Sequence, residues 1–193
     1  MKCLDTKLVS LLLFISLVMV STAHAQVSSD RPLVKIIATG GTIANSADGR
    51  MSVETVLSQI PQLASVARIE VYDFIRIGSS EISIQNWIDI GKVIMQQLQD
   101  NPAIDGIVVT HGSNTSEETS YFLNLVLDTN KPVVIVGAQR QRSALSEDGS
   151  RNLFDAVRVA ASPEAAGRGV MLVAGDMVHA ARDVTKTMSY RTE

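Results

Sequence analysis

The sequence predicts an α/β fold, an open parallel sheet in a three-layer domain. Three observations point to it. Short runs of β-branched and apolar residues recur along the chain, and each run ends near Gly or Pro. Between them lie longer segments with apolar residues at helical spacing. The composition is 46% hydrophobic but only 4% aromatic, so Ile, Val, Leu and Ala must fill the core. Strands joined by long helical segments imply right-handed crossovers, and therefore a parallel sheet.

Leu33 to Ala38 is the first such run, ending in Thr39-Gly40-Gly41. Ser52 is placed to cap a short helix from Val53 to Ile60, which Pro61 stops. Ala67 to Phe74 reads as a second strand. From Ile84 to Leu98, the residues Ile84, Trp87, Ile88, Gly91, Ile94, Met95 and Leu98 form a stripe of helical period. Gly106 to Thr110 is a third strand. Thr115-Ser116-Glu117-Glu118 has the pattern of a capping box opening a helix that runs to about Leu127. Pro132 to Gly137 is a fourth strand. Ser150 to Ala161 is a helix with Leu153, Phe154, Val157 and Ala160 on one face. Gly169 to Ala174 is a fifth strand.

The N-terminus reads as an export signal rather than as part of the fold. Lys2 and Lys7 precede an apolar run from Leu8 to Val20, and Ala23-His24-Ala25 is a small-x-small cleavage site. The run is too short to span a bilayer as a helix. The expected organisation is a signal peptide over residues 1–25 and one α/β domain over residues 26–193. Cleavage removes two lysines, one aspartate and the only cysteine, Cys3, and takes the net charge from -3 to -4. The mature chain then has no thiol, which suits an oxidising compartment. A periplasmic or secreted location is expected, with no membrane association after cleavage. The acidic balance and the lack of a basic run argue against a nucleic-acid partner.

In an open parallel sheet, ligands bind beyond the carboxyl ends of the strands. The segments predicted there are Thr39-Gly40-Gly41-Thr42, Gly78-Ser79-Ser80-Glu81, Thr110 to Asn114 and Gly137-Ala138-Gln139-Arg140. Paired glycines after a buried strand let the backbone approach a ligand and leave amides free to donate. Thr42 places a hydroxyl in that bend. The arrangement suits a hydroxyl nucleophile beside oxyanion donors, a plain structural turn or a phosphate loop, although no GxxxxGK[ST] or GxGxxG occurs there. His111 invites a Ser-His-Asp reading, but there is no GxSxG elbow, and a lone His at a strand end is commonly a structural hydrogen-bonder. With His179 as the only other histidine past the signal and no cysteine there, no metal-ligand cluster emerges. Lys186 is a base candidate if burial lowers its pKa. Arg140, Arg142 and Arg151 read as surface or structural groups.

Four ordered motifs carry a resemblance. Ala38-Thr39-Gly40-Gly41-Thr42-Ile43-Ala44 resembles the first signature of the bacterial L-asparaginase/glutaminase family, and Thr110 to Thr119 resembles the second. Lys131 to Ala138 and Asp183-Val184-Thr185-Lys186-Thr187 also match, in order. The likeness covers Pro32 to Glu193 and is closest to the exported, type II periplasmic members. It implies the fold of the family's N-terminal domain. It implies a metal-free, cofactor-free amidohydrolase acting on the side-chain amide of asparagine, in some members glutamine. Carried over by position, Thr42 matches the attacking threonine. Ser113 stands at a second hydroxyl position, and Lys186 matches the lysine that supports it. Gly41 belongs to the binding segment. Ser79 matches a serine holding the substrate carboxylate, Ser80 stands where many members have a binding glutamine, and Asn114 stands where an aspartate usually binds the α-ammonium.

Three departures follow from the same alignment of motifs. Asn114 lacks the charge of an aspartate, so weaker binding of asparagine or a different substrate is expected. The loss also removes one partner that would keep Lys186 protonated. The segment from Asn45 to Met51 is short and has no tyrosine, where the family has a longer mobile lid. The family continues into a smaller C-terminal α/β domain and assembles as a homotetramer, a dimer of dimers. The sequence is therefore expected to represent an N-terminal domain lacking that C-terminal partner.

Overall fold

The computed structural model describes residues 31–47, 49–189 and 191. The predicted signal peptide and Cys3 lie outside the described residues.

Strand β1 (Leu33–Gly40) enters the core directly, buried on both faces as its unbroken apolar run requires. It leads through a 3-10 turn at Thr42–Ala44 into a two-stranded hairpin, β2 (Asn45–Ser46) with β3 (Gly49–Arg50). Helix α1 (Val53–Ser58) is capped by the Ser52 hydroxyl, which accepts from the Thr55 amide at 3.2 Å. The short α2 (Leu63–Val66) precedes strand β4 (Arg68–Ile77). Helix α3 (Ile84–Asp100), strand β5 (Gly106–Thr110), helix α4 (Ser116–Val126) and strand β6 (Val133–Val136) follow in alternation. Helix α5 (Gly149–Ala160), strand β7 (Val170–Ala174) and strand β8 (Met177–Ala180) complete the sheet.

The main sheet has the order β4-β1-β5-β6-β7-β8. All pairings are parallel except β7 with β8. The chain therefore winds from β1 to one neighbour, β4, then crosses to the other, β5. That reversal opens a crevice at the carboxyl ends of β1 and β5, where ligands of such sheets bind.

Side-chain alternation assigns the helices to the two faces. Val34, Ile36, Val108, Val134 and Val136 pack with Val53, Val56, Leu63, Leu153 and Val157, so α1, α2 and α5 cover one face. Ile37, Ile107, Val109 and Ile135 pack with Ile90, Ile94 and Leu123, so α3 and α4 cover the other. Three layers result, and the core is aliphatic.

Three expectations need correction. The sheet is not wholly parallel: β8 turns back at Gly175-Asp176, whose φ values of 57° and 62° make a two-residue hairpin turn. The buried stripe of α3 is Ile90, Gly91 and Ile94, while Ile84 is 69% exposed and Ile88 is 37% exposed. The helix begins one turn before the sheet covers it, so its early apolar residues stay outside. The capping box at Thr115 to Glu118 does not form, because Thr115 makes no side-chain cap bond and its hydroxyl instead donates to the Ser79 carbonyl at 2.9 Å. A tertiary acceptor has displaced the local one.

The corrected stripe is testable by denaturant unfolding. Ile90→Ala should cost about 3 kcal/mol, whereas Ile84→Ala should change stability by less than about 0.5 kcal/mol.

Candidate active site

The carboxyl ends of β1 and β5 meet backbone to backbone. Gly41, at φ 86°, lies so close to the second segment that a Cβ on it would fall 2.4 Å from the Gly112 nitrogen. A Cβ on Gly112 would in turn fall 2.5 Å from the Ser79 Oγ. The segments after β1, β4 and β5 thus converge, and residues 41–42, 79 and 112–114 are neighbours. The fourth predicted segment joins through Gln139, whose Oε1 accepts from the Ser113 hydroxyl at 3.2 Å.

The hydrogen bonds hold this junction in a definite arrangement. Ser79 is buried, and its Oγ accepts from the Asn114 amide at 3.1 Å. Lys186 reaches in from the segment after β8. Its Nζ donates to Ser113 Oγ at 2.8 Å and to Asn114 Oδ1 at 3.1 Å. Its backbone amide donates to the Glu117 carboxylate on α4. Burial pushes the Lys186 ammonium below its ordinary pKa, and the Glu117 charge partly offsets this. Thr42 sits half-buried at the start of its 3-10 turn. The Gly41 amide is engaged by the Ile77 carbonyl at 3.3 Å, but no described residue accepts from the amides of Thr42, Gly112 or Ser113. Free amides beside hydroxyls can stabilise a developing oxyanion.

His111 does not face this junction. It is fully buried, and its ring contacts the Gly112 carbonyl through Nδ1 at 2.7 Å and Thr119 Oγ1 through Nε2 at 3.0 Å. A carbonyl only accepts, so Nδ1 carries the hydrogen and Nε2 accepts from Thr119. Thr119 Oγ1 is then free to accept from the Trp87 indole at 2.7 Å. The chain from α3 through α4 thus ends on the carbonyl just before Ser113. Desolvation lowers the His111 pKa to about 4, with the Gly112 carbonyl opposing.

The structure therefore gathers Gly41, Ser79, Ser113, Asn114 and Lys186, with Thr42 adjoining Gly41. Ser80 follows Ser79 in the 3-10 turn at Ser79–Glu81, is exposed and bonds to no described residue. The short segment after Thr42 is the β2–β3 hairpin, tied to the 137–142 loop by Arg142, whose amide donates to the Asn45 carbonyl at 3.1 Å. Arg142 and Arg151 engage Gln59 and Asp155, in structural roles. A cavity of about 470 Å³ opens beside the junction. Its walls include Ser113, Glu117, Gln139 and Lys186 but none of Thr42, Ser79 and Asn114.

Sequence reasoning missed Asp148, Glu117 and the role of Gln139. Asp148 precedes α5 as an N-cap would, yet its carboxylate accepts from the Gln139 amide at 3.0 Å, from the Arg140 amide at 2.9 Å and from Asn152 at 3.0 Å. An Asp just before a helix is a local signal, and it does not point to the amides of Gln139 and Arg140 that its carboxylate accepts from.

Residues 33–193 match the family model described as "Asparaginase, N-terminal". The chain belongs to the asparaginase N-terminal family. It is 40% identical over 184 residues to L-asparaginase 2 of Bacillus subtilis, covering 90% of this chain and 49% of that protein. It is 41% identical over 177 residues to the probable periplasmic L-asparaginase of Haemophilus influenzae, covering 87% of this chain and 49% of the relative. A glutaminase-asparaginase of Pseudomonas fluorescens is 40% identical, with 83% and 47% covered. Among solved structures, the probable cytoplasmic L-asparaginase of Campylobacter jejuni superposes with a TM-score of 0.81 at 37% identity, covering 84% of this chain and 52% of that one. The chain spans about half the length of these asparaginase relatives.

The buried histidine sets a pH dependence. Its folded pKa lies below the unfolded value near 6.5, so the unfolded state binds the proton first on acidification. The contribution is intact above pH 6.5 and is lost as the pH falls toward 4, by about 3 kcal/mol in all. Urea unfolding at stepped pH should show this slope, and His111→Gln should remove that part of it.

Proposed function

We propose that this chain is the nucleophile-bearing domain of an L-asparaginase-type amidohydrolase. The reaction is hydrolysis of the side-chain amide of L-asparagine, or of L-glutamine as in some members of the family, to the acid and ammonia. The observation that carries this reading is the junction of Gly41 with Gly112, which sets the Thr42 hydroxyl one residue from a backbone contact and Ser113 one residue beyond it. Relatives named L-asparaginase and glutaminase-asparaginase support the substrate class.

In this reading, the Thr42 hydroxyl attacks the amide carbonyl and an acyl-enzyme forms. The free amides of Gly112 and Ser113 receive the oxyanion. Ammonia leaves, and water releases the acid from Thr42. Ser113 and Lys186 complete the polar wall. Gly41, Ser79, Ser80 and Asn114 are assigned to substrate binding, Ser79 at the carboxylate. No metal or organic cofactor has a part.

The export reading belongs to the same proposal. Residues 1–25 act as a cleaved signal, residues 26–193 form the domain, and the enzyme works in the periplasm as a type II member. The Haemophilus relative named a probable periplasmic L-asparaginase supports this, while the Campylobacter neighbour is named a probable cytoplasmic one. In the working enzyme this domain acts beside a second α/β domain and within a homotetramer, as the family resemblance implies.

One observation favours a second reading, a weakened periplasmic paralogue that binds an amino acid without efficient turnover. Asn114 Oδ1 carries no charge and already accepts from Lys186, so a substrate ammonium would share a neutral acceptor with the lysine. Ammonia release from L-asparagine separates the two readings.

Thr42→Ala should lower kcat about a thousandfold or more in an ammonia-release assay, and unchanged release would remove Thr42 from its role. Asn114→Asp should raise kcat/KM for L-asparagine about tenfold, chiefly through KM. An Asp variant no better than the parent would show that the missing charge does not limit binding.

A further inference from the structure

The Lys186–Ser113 pair has a third member whose orientation is decided elsewhere. Gln139 Nε2 donates to the Met188 carbonyl at 3.2 Å. A carbonyl can only accept, so the NH2 end of this amide belongs there and Oε1 must face Ser113. Oε1 then takes the single hydrogen of the Ser113 hydroxyl. The Ser113 lone pairs are left for Lys186, which donates to them at 2.8 Å. Donors therefore run one way, from Lys186 through Ser113 to Gln139.

The same side chain is braced from behind and grips the lysine segment. Its backbone amide and that of Arg140 are held by the Asp148 carboxylate, which Asn152 ties back toward β6 through the Gly137 carbonyl at 3.1 Å. On the far side, the Met188 carbonyl lies two residues beyond Lys186, whose own amide is held by Glu117. The lysine is thus secured on both flanks.

We propose that Gln139 is a positioning residue that sets the direction of the Lys186–Ser113 hydrogen bond and docks the Lys186 segment against the loop after β6. Ser113 is kept as an acceptor toward Lys186 and is not itself activated as a nucleophile. Lys186 is kept as the donor end of the chain. The catalytic consequence rests on the asparaginase reading, whereas the hydrogen-bond direction does not.

The test compares Gln139→Leu, Gln139→Asn and Gln139→Glu with the parent. The pH dependence of Lys186 acetylation by acetic anhydride is followed by peptide mass spectrometry, since only the neutral amine reacts. The groups facing Lys186 and its cavity are Glu117 on α4, Asp148 before α5, His179 on β8, and Asp183 and Arg191 on its own segment, and all are unchanged between variants. Freed from Gln139, the Ser113 hydroxyl can turn its hydrogen to a neutral Lys186. The acetylation midpoint should therefore fall by about half a pH unit in the Leu variant, and in the Asn variant, which is one methylene too short. It should rise by about one unit in the Glu variant, which adds a carboxylate. Coincident midpoints in parent, Leu and Asn proteins that melt at the parent temperature overturn the proposal, and the Asn variant decides alone if Leu does not fold. In ammonia release, the Leu variant should lose about tenfold in kcat with KM little changed. A parent assayed as the full two-domain enzyme that releases no ammonia defeats the asparaginase reading, while the acetylation order still judges Gln139.

Discussion

No side chain fits between Gly41 and Gly112, and the geometry of the junction depends on that contact. The parallel sheet brings the ends of β1 and β5 to the crevice where its winding reverses. Ordinary residues there would hold the two backbones apart by the width of their side chains. Glycine at both positions lets amides, rather than side chains, form the wall. The positive φ of Gly41 then turns the chain so that Thr42 begins a new direction. Ser79 fills the remaining side, packed against Gly112 and bonded to the Asn114 amide.

Around this contact the side-chain chemistry is a lysine among largely neutral acceptors. Lys186 meets a serine oxygen and an asparagine oxygen at hydrogen-bond distance, while Glu117 engages its backbone rather than its ammonium. Burial then weighs against the charge without a bonded carboxylate to cancel the effect. His111, the buried histidine behind this wall, is taken out of play by its two fixed partners and its burial. It holds the Gly112 carbonyl and so steadies the loop that carries Ser113.

Elements with strong local signals were legible residue by residue. The strand from Gly106 to Thr110 begins and ends where the apolar run does. The Ser52 cap forms because its acceptor and donor are three residues apart. The α3 stripe and the Thr115 cap were misread for one reason: a distant partner outweighed the local pattern. Which apolar residues of α3 are buried depends on where the sheet starts, and Thr115 prefers the Ser79 carbonyl brought to it by β4. Strand β8 is four residues long and largely exposed, so no buried apolar run marks it in the sequence.

By itself the sequence determined the alternation of strands and helices, the aliphatic core and the polar segments at the strand ends. These follow from periodicity and from glycine placement, which are local properties. It also determined which side chains carry hydroxyl, amide and ammonium groups at those ends. Only the tertiary structure decided which of them meet. Lys186 and Ser113 are 73 positions apart and share a hydrogen bond because two loops emerge on the same edge of the sheet. Ser80 is next to Ser79 in sequence, yet its neighbour is buried in the junction and it is not. Asp148 and Gln139 gained their roles in the same way, since a hydrogen bond requires proximity that only the packed sheet supplies.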